Sequence, residues 1–572
     1  MKNKDIIEDI YTTTQESCNI LVDLLLHYDI DNVIISPGSR NAPIITALSC
    51  CNKIKKYIIV DERSAAFAAL GMSQASNKPV AIVCTSGSAV LNYAPAVAEA
   101  FYQHIPLIVI SADRPYEWID QNDSQTIIQS GILNHIIKHS YDIPANCNNK
   151  TELWYINRTL NEALQKATSL PEGPIHINMQ FNEPLYDRKP LTVSSAKPIK
   201  YIQTLGQLSD YTEFAKVINS YKKVLIFASM NKPCQELTKI LDSISGGNIA
   251  VISEIISNNN KSKYIFKNID RLFTEISDDN YADFAPDLLI TFGGAPVSRL
   301  AKTFLRKSKD IEHWRIGVDN NIIDTLQNLT HRIEIKPLSF FNGIHKLIKN
   351  IGNYYEKWES LKNQAQQSHE NFVSNAHWSD FKAMYTIMKM LPTNGLNLQV
   401  SNGSAIRYVD IMGLSENFDG SVACNRGVSG IDGSTSTALG ASLVQSACNT
   451  LLITGDMSFS YDLSGIASQY NSERFKIIVL CNGGGGIFRF INGPSTLPDF
   501  EQYFEVPREL PIDKYANAFG FNYIECNNEA RLQESITKLL DSNNPTILAI
   551  HTNNKISADT LRNYFNRNNH KK

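Results

Sequence analysis

The sequence predicts an α/β protein of three doubly wound, parallel-sheet domains, and three observations carry that prediction. Short apolar strands alternate with helical stretches almost throughout, as in AIVCTS (81–86) and IIVLCN (477–482); this is the pattern of sheets covered by helices on both faces. At 572 residues the chain is too long for one core, so about two to four domains are expected. Two polar stretches, YDRKPLTVSSAKPIKYIQT (186–204) and the helix-prone NYYEKWESLKNQAQQSHENF (353–372), read as connectors. They divide the chain into 1–188, a middle part 200–350, and 370–572.

The outer parts echo one another. AALGMSQASNKPVAIVCTSGSAVLNYAPAVAEAFYQHIPLIVISADR (68–114) and TALGASLVQSACNTLLITGDMSFSYDLSGIASQYNSERFKIIVLCNG (437–483) share one order of parts. Each runs ALG-helix, apolar strand, polar glycine-containing turn, helix, apolar strand. Identity is low, so the bland alternative is two ordinary α/β units. If the echo is real, ligands gather beyond the carboxyl ends of the strands, and the notable polar residues fall there in both halves.

Composition sets limits. The formal charge of −3 lacks the basic excess that a nucleic-acid binder uses against phosphates. The ten cysteines form no CxxC pair and no zinc spacing; they read as reduced thiols, several packed as small hydrophobes. The start, MKNKDIIEDIYTTTQES, is too polar for a signal peptide, and no apolar run approaches the roughly 18 residues of a membrane span. A cytoplasmic protein without a membrane span is expected.

In the first part, KYIIVDERSAAFAALG (56–71) places Glu62 between an apolar run, Tyr57 to Val60, and an Ala-rich helix. The run reads as a buried strand, and a carboxyl in such an apolar setting is poised for proton transfer; the bland alternative is a strand-end Glu paired with Arg63. The middle part has strands of its own in KVLIFAS (223–229), IAVISE (249–254), LLITFGG (288–294) and RIGVD (315–319). In the last part, LLITGDMSFSYDL (451–463) ends a strand at Asp456, and FKIIVLCNGGGGIFRF (475–490) ends the next at Asn482, 26 residues on. Adjacent parallel strands would bring these two oxygen ligands together, and a carboxylate, an amide oxygen and a backbone carbonyl suit Mg²⁺. Gly455 and Gly483 to Gly486 let backbone approach a diphosphate. The competing account has Asp456 capping a helix and the glycines making a turn; the strand-spaced Asn and four consecutive glycines weigh against it.

Arginines stand beside many strand ends: Arg40 after Ser39 in VIISPGSRNAPI (33–44), Arg114 with Gln125 in VISADRPYEWIDQNDSQTI (109–127), Arg407 in SNGSAIRYVD (401–410), and Arg426 in CNRGVSGIDGSTSTALG (424–440). Singly, each reads as a surface ion pair. Converging on one cleft, they would call for anionic ligands, and guanidinium forks match carboxylates.

The segment GDMS with CNGGGG resembles the signature of the thiamine diphosphate-dependent enzymes, Gly-Asp-Gly followed some 25–30 residues later by Asn-Asn; Met457 and Cys481 depart from it, while the ligand positions are spared. The resemblance implies the thiamine diphosphate-binding fold, with pyrimidine-binding, middle and diphosphate-binding domains in that order. It implies metal ligation (Mg²⁺ or Mn²⁺) by Asp456, Asn482 and the Gly484 carbonyl, with Gly455, Met457, Ser458 and Gly485 around the diphosphate. It further implies that Glu62 bonds the aminopyrimidine ring, and that a homodimer or homotetramer forms.

SPGSR, DER, TSGSA, ADRP, GPIHINMQFNEPLY (173–186), NRGVSGIDG (425–433) and GDMS together resemble the menaquinone-pathway branch of these enzymes across essentially the whole chain. That branch decarboxylates 2-oxoglutarate and adds the succinyl carbanion to isochorismate. The resemblance implies substrate roles for Ser39, Arg40, Arg114, Gln125, Arg299, Arg407 and Arg426, apolar walls from Ile487, Phe488 and Ile491, and Ile431 as the residue holding the cofactor bent. Leu300, Gly403 and Ser124 depart from its pattern. Lys302 and Arg299 otherwise read as a solvated helix face. Two alternatives remain at this point: another thiamine diphosphate 2-oxoacid carboligase or decarboxylase, acetolactate synthase-like, and a non-catalytic protein on the same fold.

Overall fold

Uninterrupted apolar runs become buried strands, and the strands assemble into three parallel sheets flanked by helices. The computed structural model describes residues 11–192, 195–203, 208–308, 311–319, 321–445, 448–491 and 493–567. Its residues cluster into two units.

The first unit comprises the described residues within Met1–Gln203, with Thr435–Gln445 and Ser464–Tyr470. Its sheet holds β1 (Asn32–Ile35), β2 (Lys55–Ile58), β3 (Val80–Cys84), β4 (Leu107–Asp113), β5 (Ser140–Ile143) and β6 (Ile175–Gln180), in the order β2-β1-β3-β4-β6-β5. β1, β3 and β4 are buried along their whole length, as continuous Val/Ile runs in a sheet covered on both faces should be. β2 corrects the expectation for Tyr57 to Val60. It is an edge strand with one neighbour; Ile58 is 38% exposed and Val60, beyond its end, 73%. In the 186–204 stretch, Arg188–Pro190 pairs antiparallel with Tyr11–Thr13.

The helix Glu62–Ser76 explains the ALG echo. A Cβ on Gly71 would lie 1.9 Å from the carbonyl oxygen of Thr437, and one on Gly440 would lie 1.8 Å from that of Ala68. The helices Glu62–Ser76 and Ser434–Val444 therefore cross backbone on backbone, each contributing its glycine to the contact, and Ser64 and Ser436 hydroxyls bond at 2.7 Å beside it.

The second unit holds two sheets. The middle one contains β7 (Val224–Ala228), β8 (Ile249–Ser253), β9 (Leu288–Phe292), β10 (Glu312–Ile316) and β11 (His331–Ile333), ordered β8-β7-β9-β10-β11. β10 begins three residues before the expected RIGVD, because His313 and Trp314 are also buried. The other contains β12 (Asn394–Val400), β13 (Asp419–Cys424), β14 (Asn449–Gly455), β15 (Phe475–Cys481), β16 (Asn522–Cys526) and β17 (Thr546–His551). Its order, β13-β12-β14-β15-β17-β16, repeats that of the first unit's sheet strand for strand.

The 353–372 stretch is a packed helix, Tyr354–Asn375, rather than a free connector. Tyr354 and Trp358 fill the middle core, while Val373 and His369 reach the core of the last sheet. Polar contacts join these two sheets: Asp410 Oδ1 accepts from Ile255 N at 3.0 Å, and Asn258 bonds the backbone of Val422 in both directions. All ten cysteines are free thiols. Among the described residues no helix is long and apolar enough to cross a membrane.

Candidate active site

In the second unit, β14 and β15 run side by side and release their chains at Asp456 and Asn482. Asp456 opens the short helix Asp456–Tyr461 and is 4% exposed. Its Oδ1 accepts from Met457 N at 2.7 Å and its Oδ2 from Gly483 N at 2.8 Å, so the two strand ends are bonded to each other. Burial pushes its carboxyl up to about 7, the two N–H groups opposing and the charge of Asp380 adding.

Asn482 donates from Nδ2 to Asp380 Oδ2 at 2.8 Å, while its Oδ1 is buried with no hydrogen-bond partner among the described residues. Asp380 is itself fully buried, and burial raises its carboxyl too. Among the described residues the side-chain hydrogen-bond partners of both carboxyls are neutral. Two buried acids whose described hydrogen-bond partners are neutral, beside that amide oxygen, fit a divalent cation held by oxygen.

The glycines divide into two kinds. A Cβ on Gly455 or Gly483 would meet nothing within 4 Å among the described residues, leaving space that a diphosphate fits. Gly484, Gly485 and Gly486 are small for another reason: a Cβ would strike Glu505 O at 2.6 Å, Phe504 O at 2.9 Å and Asn554 Oδ1 at 2.5 Å respectively. They pack against the segment around Glu505, a buried acid held by Arg489 and Asn554. Ser458 Oγ donates to Ile431 O at 2.6 Å, fixing the loop that carries the 41%-exposed Ile431 side chain. Ile487 and Phe488 lie on the helix Gly486–Phe490 and Ile491 follows it, all three partly buried.

The second unit also gathers cations. Arg407 lies within electrostatic reach of Arg426, Arg299 and Asp270. Lys302 feels Arg426, Glu254 and Arg407. The Nε atoms of Arg407 and Arg426 are buried and have no hydrogen-bond partner among the described residues; Arg426 Nη1 donates to Asn402 Oδ1 at 3.2 Å. Arg299 is exposed. The solvated face expected for Lys302 is not found: it is partly buried, donating to Pro296 O at 3.2 Å, and burial lowers its ammonium. Gly403 has φ 90°, so the departure from Ser there suits a backbone that side chains rarely adopt.

In the first unit, Asp61 caps the helix that begins at Glu62, accepting from Arg63 N and Ser64 N, and its other oxygen accepts from Ser464 Oγ at 2.6 Å. Glu62 is half-buried. Its charge adds to burial in raising the Cys84 thiol and the Tyr93 phenol, both fully buried. Ser36, in the SPGSR segment, accepts from Tyr93 at 3.5 Å and donates to Ile59 O at 2.9 Å. Arg40, 6% exposed, donates to Phe181 O and pairs with Glu183 at 3.2 Å. Burial lowers its guanidinium and the nearby charge of Arg114 adds. Arg114 pairs with Asp123 at 2.9 Å and donates to Ser124 O. Gln125, with φ 56°, packs its backbone on Gly87. Ser39 and Gln125 have exposed side chains. Arg40, Arg114 and Gln125 thus stand around the ends of β1, β3 and β4.

Sequence reasoning missed Asp380, which sits 76 residues before Asp456 in a separate helix start. It also missed the buried network of Gln129, Ser111, Asn178 and Asp113 that braces Gly87 and the backbone of Arg114. The available signal was a Ser-Asp helix cap for the first and polar residues inside apolar strands for the second.

Two sequence families match. The thiamine pyrophosphate enzyme, N-terminal TPP binding domain covers residues 17–132, and the thiamine pyrophosphate enzyme, C-terminal TPP binding domain covers 415–550. A Porphyromonas gingivalis protein named 2-succinyl-5-enolpyruvyl-6-hydroxy-3-cyclohexene-1-carboxylate synthase is 37% identical over 564 residues, covering 96% of this chain and 97% of its own. The chain belongs to this synthase family. Flavobacterium psychrophilum has a synthase of the same name 39% identical over 536 residues, covering 93% of this chain and 95% of its own. The Bacteroides thetaiotaomicron synthase is 33% identical over 553 residues, with 95% and 97% covered. The two matched domains are thiamine diphosphate-binding domains, and they bracket Glu62 in one and Asp456 with Asn482 in the other.

Proposed function

We propose that the chain makes the product its relatives are named for, 2-succinyl-5-enolpyruvyl-6-hydroxy-3-cyclohexene-1-carboxylate, by decarboxylating 2-oxoglutarate and joining the succinyl unit to isochorismate in menaquinone biosynthesis. The observation that carries the substrate class is the pair of buried guanidinium N–H groups on Arg407 and Arg426 that find no acceptor among the described residues. A buried unmet charged donor is costly, and carboxylates are the acceptors that guanidinium matches best. Both substrates are dicarboxylates, whereas the smaller monoanion pyruvate would leave the array idle.

Thiamine diphosphate supplies the electron sink that lets a 2-oxoacid lose CO₂. Asp456, Asn482 and the Gly484 carbonyl would hold its Mg²⁺ or Mn²⁺, and Gly455, Met457, Ser458 and Gly485 would line its diphosphate. The exposed Ile431 side chain would give the coenzyme an apolar support. Glu62 would hold a proton at the coenzyme's aminopyrimidine ring, and in a homodimer or homotetramer it would come from the subunit neighbouring the one that holds the diphosphate. Ser39, Arg40, Arg114, Gln125, Arg299, Arg407 and Arg426 bind the substrate carboxylates. Ile487, Phe488 and Ile491 exclude water, which protects the reacting carbon from protonation. The three functional segments are 1–188, 200–350 and 370–572, and the enzyme works in the cytoplasm.

The test is a product assay with purified protein, thiamine diphosphate and Mg²⁺. With 2-oxoglutarate and isochorismate, CO₂ and the adduct should form together; substituting pyruvate should yield neither. Efficient turnover of pyruvate would favour the acetolactate synthase-like reading.

A further inference from the structure

Asn482 has a side chain with two dissimilar ends, and only its oxygen can serve a cation. Rotating the amide by half a turn would present NH₂ instead, so something must choose. Asp380 stands on one side of that amide, 2.8 Å from Nδ2. A carboxylate oxygen accepts and does not donate, so the reversed amide would set two oxygens against each other there. Asp380 is in turn fixed from three directions. It starts the helix Asp380–Met390, which Ser379 caps; its Oδ1 accepts from Thr552 Oγ1 at 2.5 Å; and its own N–H donates to Ser557 Oγ at 3.0 Å. Thr552 is tied to the same strand end, its N–H donating to Cys481 O at 3.1 Å. The result is the buried Asn482 Oδ1 left without a partner.

We propose that Asp380 is a positioning residue for the divalent cation, setting the amide of Asn482 so that Oδ1 is the end offered as a ligand. The inference rests on the reading of Asn482 as a metal ligand. Partners of this kind typically contribute about 10–100-fold in metal affinity.

Mn²⁺ binding in the presence of thiamine diphosphate, followed by the loss of the free-ion electron paramagnetic resonance signal, tests it without reference to turnover. Asp380→Leu should weaken Mn²⁺ by about 10–100-fold. Asn482→Asp alone sets two carboxylates face to face and should also weaken it. The exchanged pair, Asp380→Asn with Asn482→Asp, restores the bond in the opposite sense: the new amide donates to residue 482 while its oxygen still accepts from Thr552. That pair should bind Mn²⁺ at least about tenfold more tightly than Asn482→Asp alone, a rescue that a merely structural role would not produce. Melting curves establish that each variant is folded, and the exchanged pair keeps the site polar should the Leu variant fail to fold. An exchanged pair no tighter than Asn482→Asp, or a folded Asp380→Leu with affinity like the parent, would overturn the role of Asp380. If Asn482→Ala also bound Mn²⁺ like the parent, the ligand reading itself would fall with it.

Discussion

Replacing Gly71 with Ala should destabilise the protein, against the usual preference of helices. In an exposed helix interior the change gains about 0.5–1 kcal/mol. Here the new Cβ would lie 1.9 Å from the Thr437 carbonyl oxygen, where ordinary contact begins at 3.4 Å, so the helices must part by about 1.5 Å. The obstacle is backbone and cannot rotate away. Overpacking of this kind costs about 1–3 kcal/mol, and in a domain of this size each kcal/mol moves Tm by about 2–4 °C. Scanning calorimetry should therefore show the first transition lowered by about 2–12 °C. Gly440→Ala, striking Ala68 O from the other side, should behave alike. Because one separation relieves both clashes, the double variant should lose less than the sum. A Tm for Gly71→Ala equal to or above the parent's would refute the backbone-on-backbone crossing.

Glu62→Gln should retain thiamine diphosphate with little change in affinity yet turn over at least about a hundredfold more slowly, the scale of a lost general acid–base group; single-turnover kinetics beside cofactor titration checks both halves. Arg426→Met should raise KM for at least one carboxylate substrate by about tenfold or more, the scale of one charge-assisted bond, as steady-state kinetics would show. Chelation by EDTA should abolish activity, and added Mg²⁺ or Mn²⁺ should restore it. Burial holds the Glu254 carboxyl at about 8, with Asp410 adding. The folded chain therefore keeps a proton that the unfolded chain releases above about 4.5, so this contribution to stability is complete below that pH and is lost as pH rises through about 8. Glu254→Gln should flatten the fall of Tm across that window.

The parallel sheets were legible because buried strands read as unbroken apolar runs; the repeated ALG was legible only as an echo of the two outer parts, because the crossing of Gly71 on Thr437 and Gly440 on Ala68 is a tertiary contact. The edge position of β2 was not legible: KYIIV is as apolar as a central strand, and only the sheet order leaves Val60 uncovered. The helical character of 353–372 was legible, but its polar composition concealed its packing: its few large residues, Tyr354 and Trp358, are fully buried. Within the site, Asp456 and Asn482 announced themselves by strand-end spacing. Asp380 carried no such spacing, because tertiary packing rather than local sequence brings it to Asn482. Likewise Lys302 looked like a solvated helix residue, and only its buried neighbours place it among the cations.

The most direct measurement is a crystal structure of the protein with thiamine diphosphate and Mg²⁺ bound. The Glu62 carboxylate should lie within hydrogen-bonding distance of the aminopyrimidine ring, and the metal should be bound by Asp456, Asn482 Oδ1 and the Gly484 carbonyl. A coenzyme whose ring meets a different residue, or whose metal lies away from those three oxygens, would contradict it.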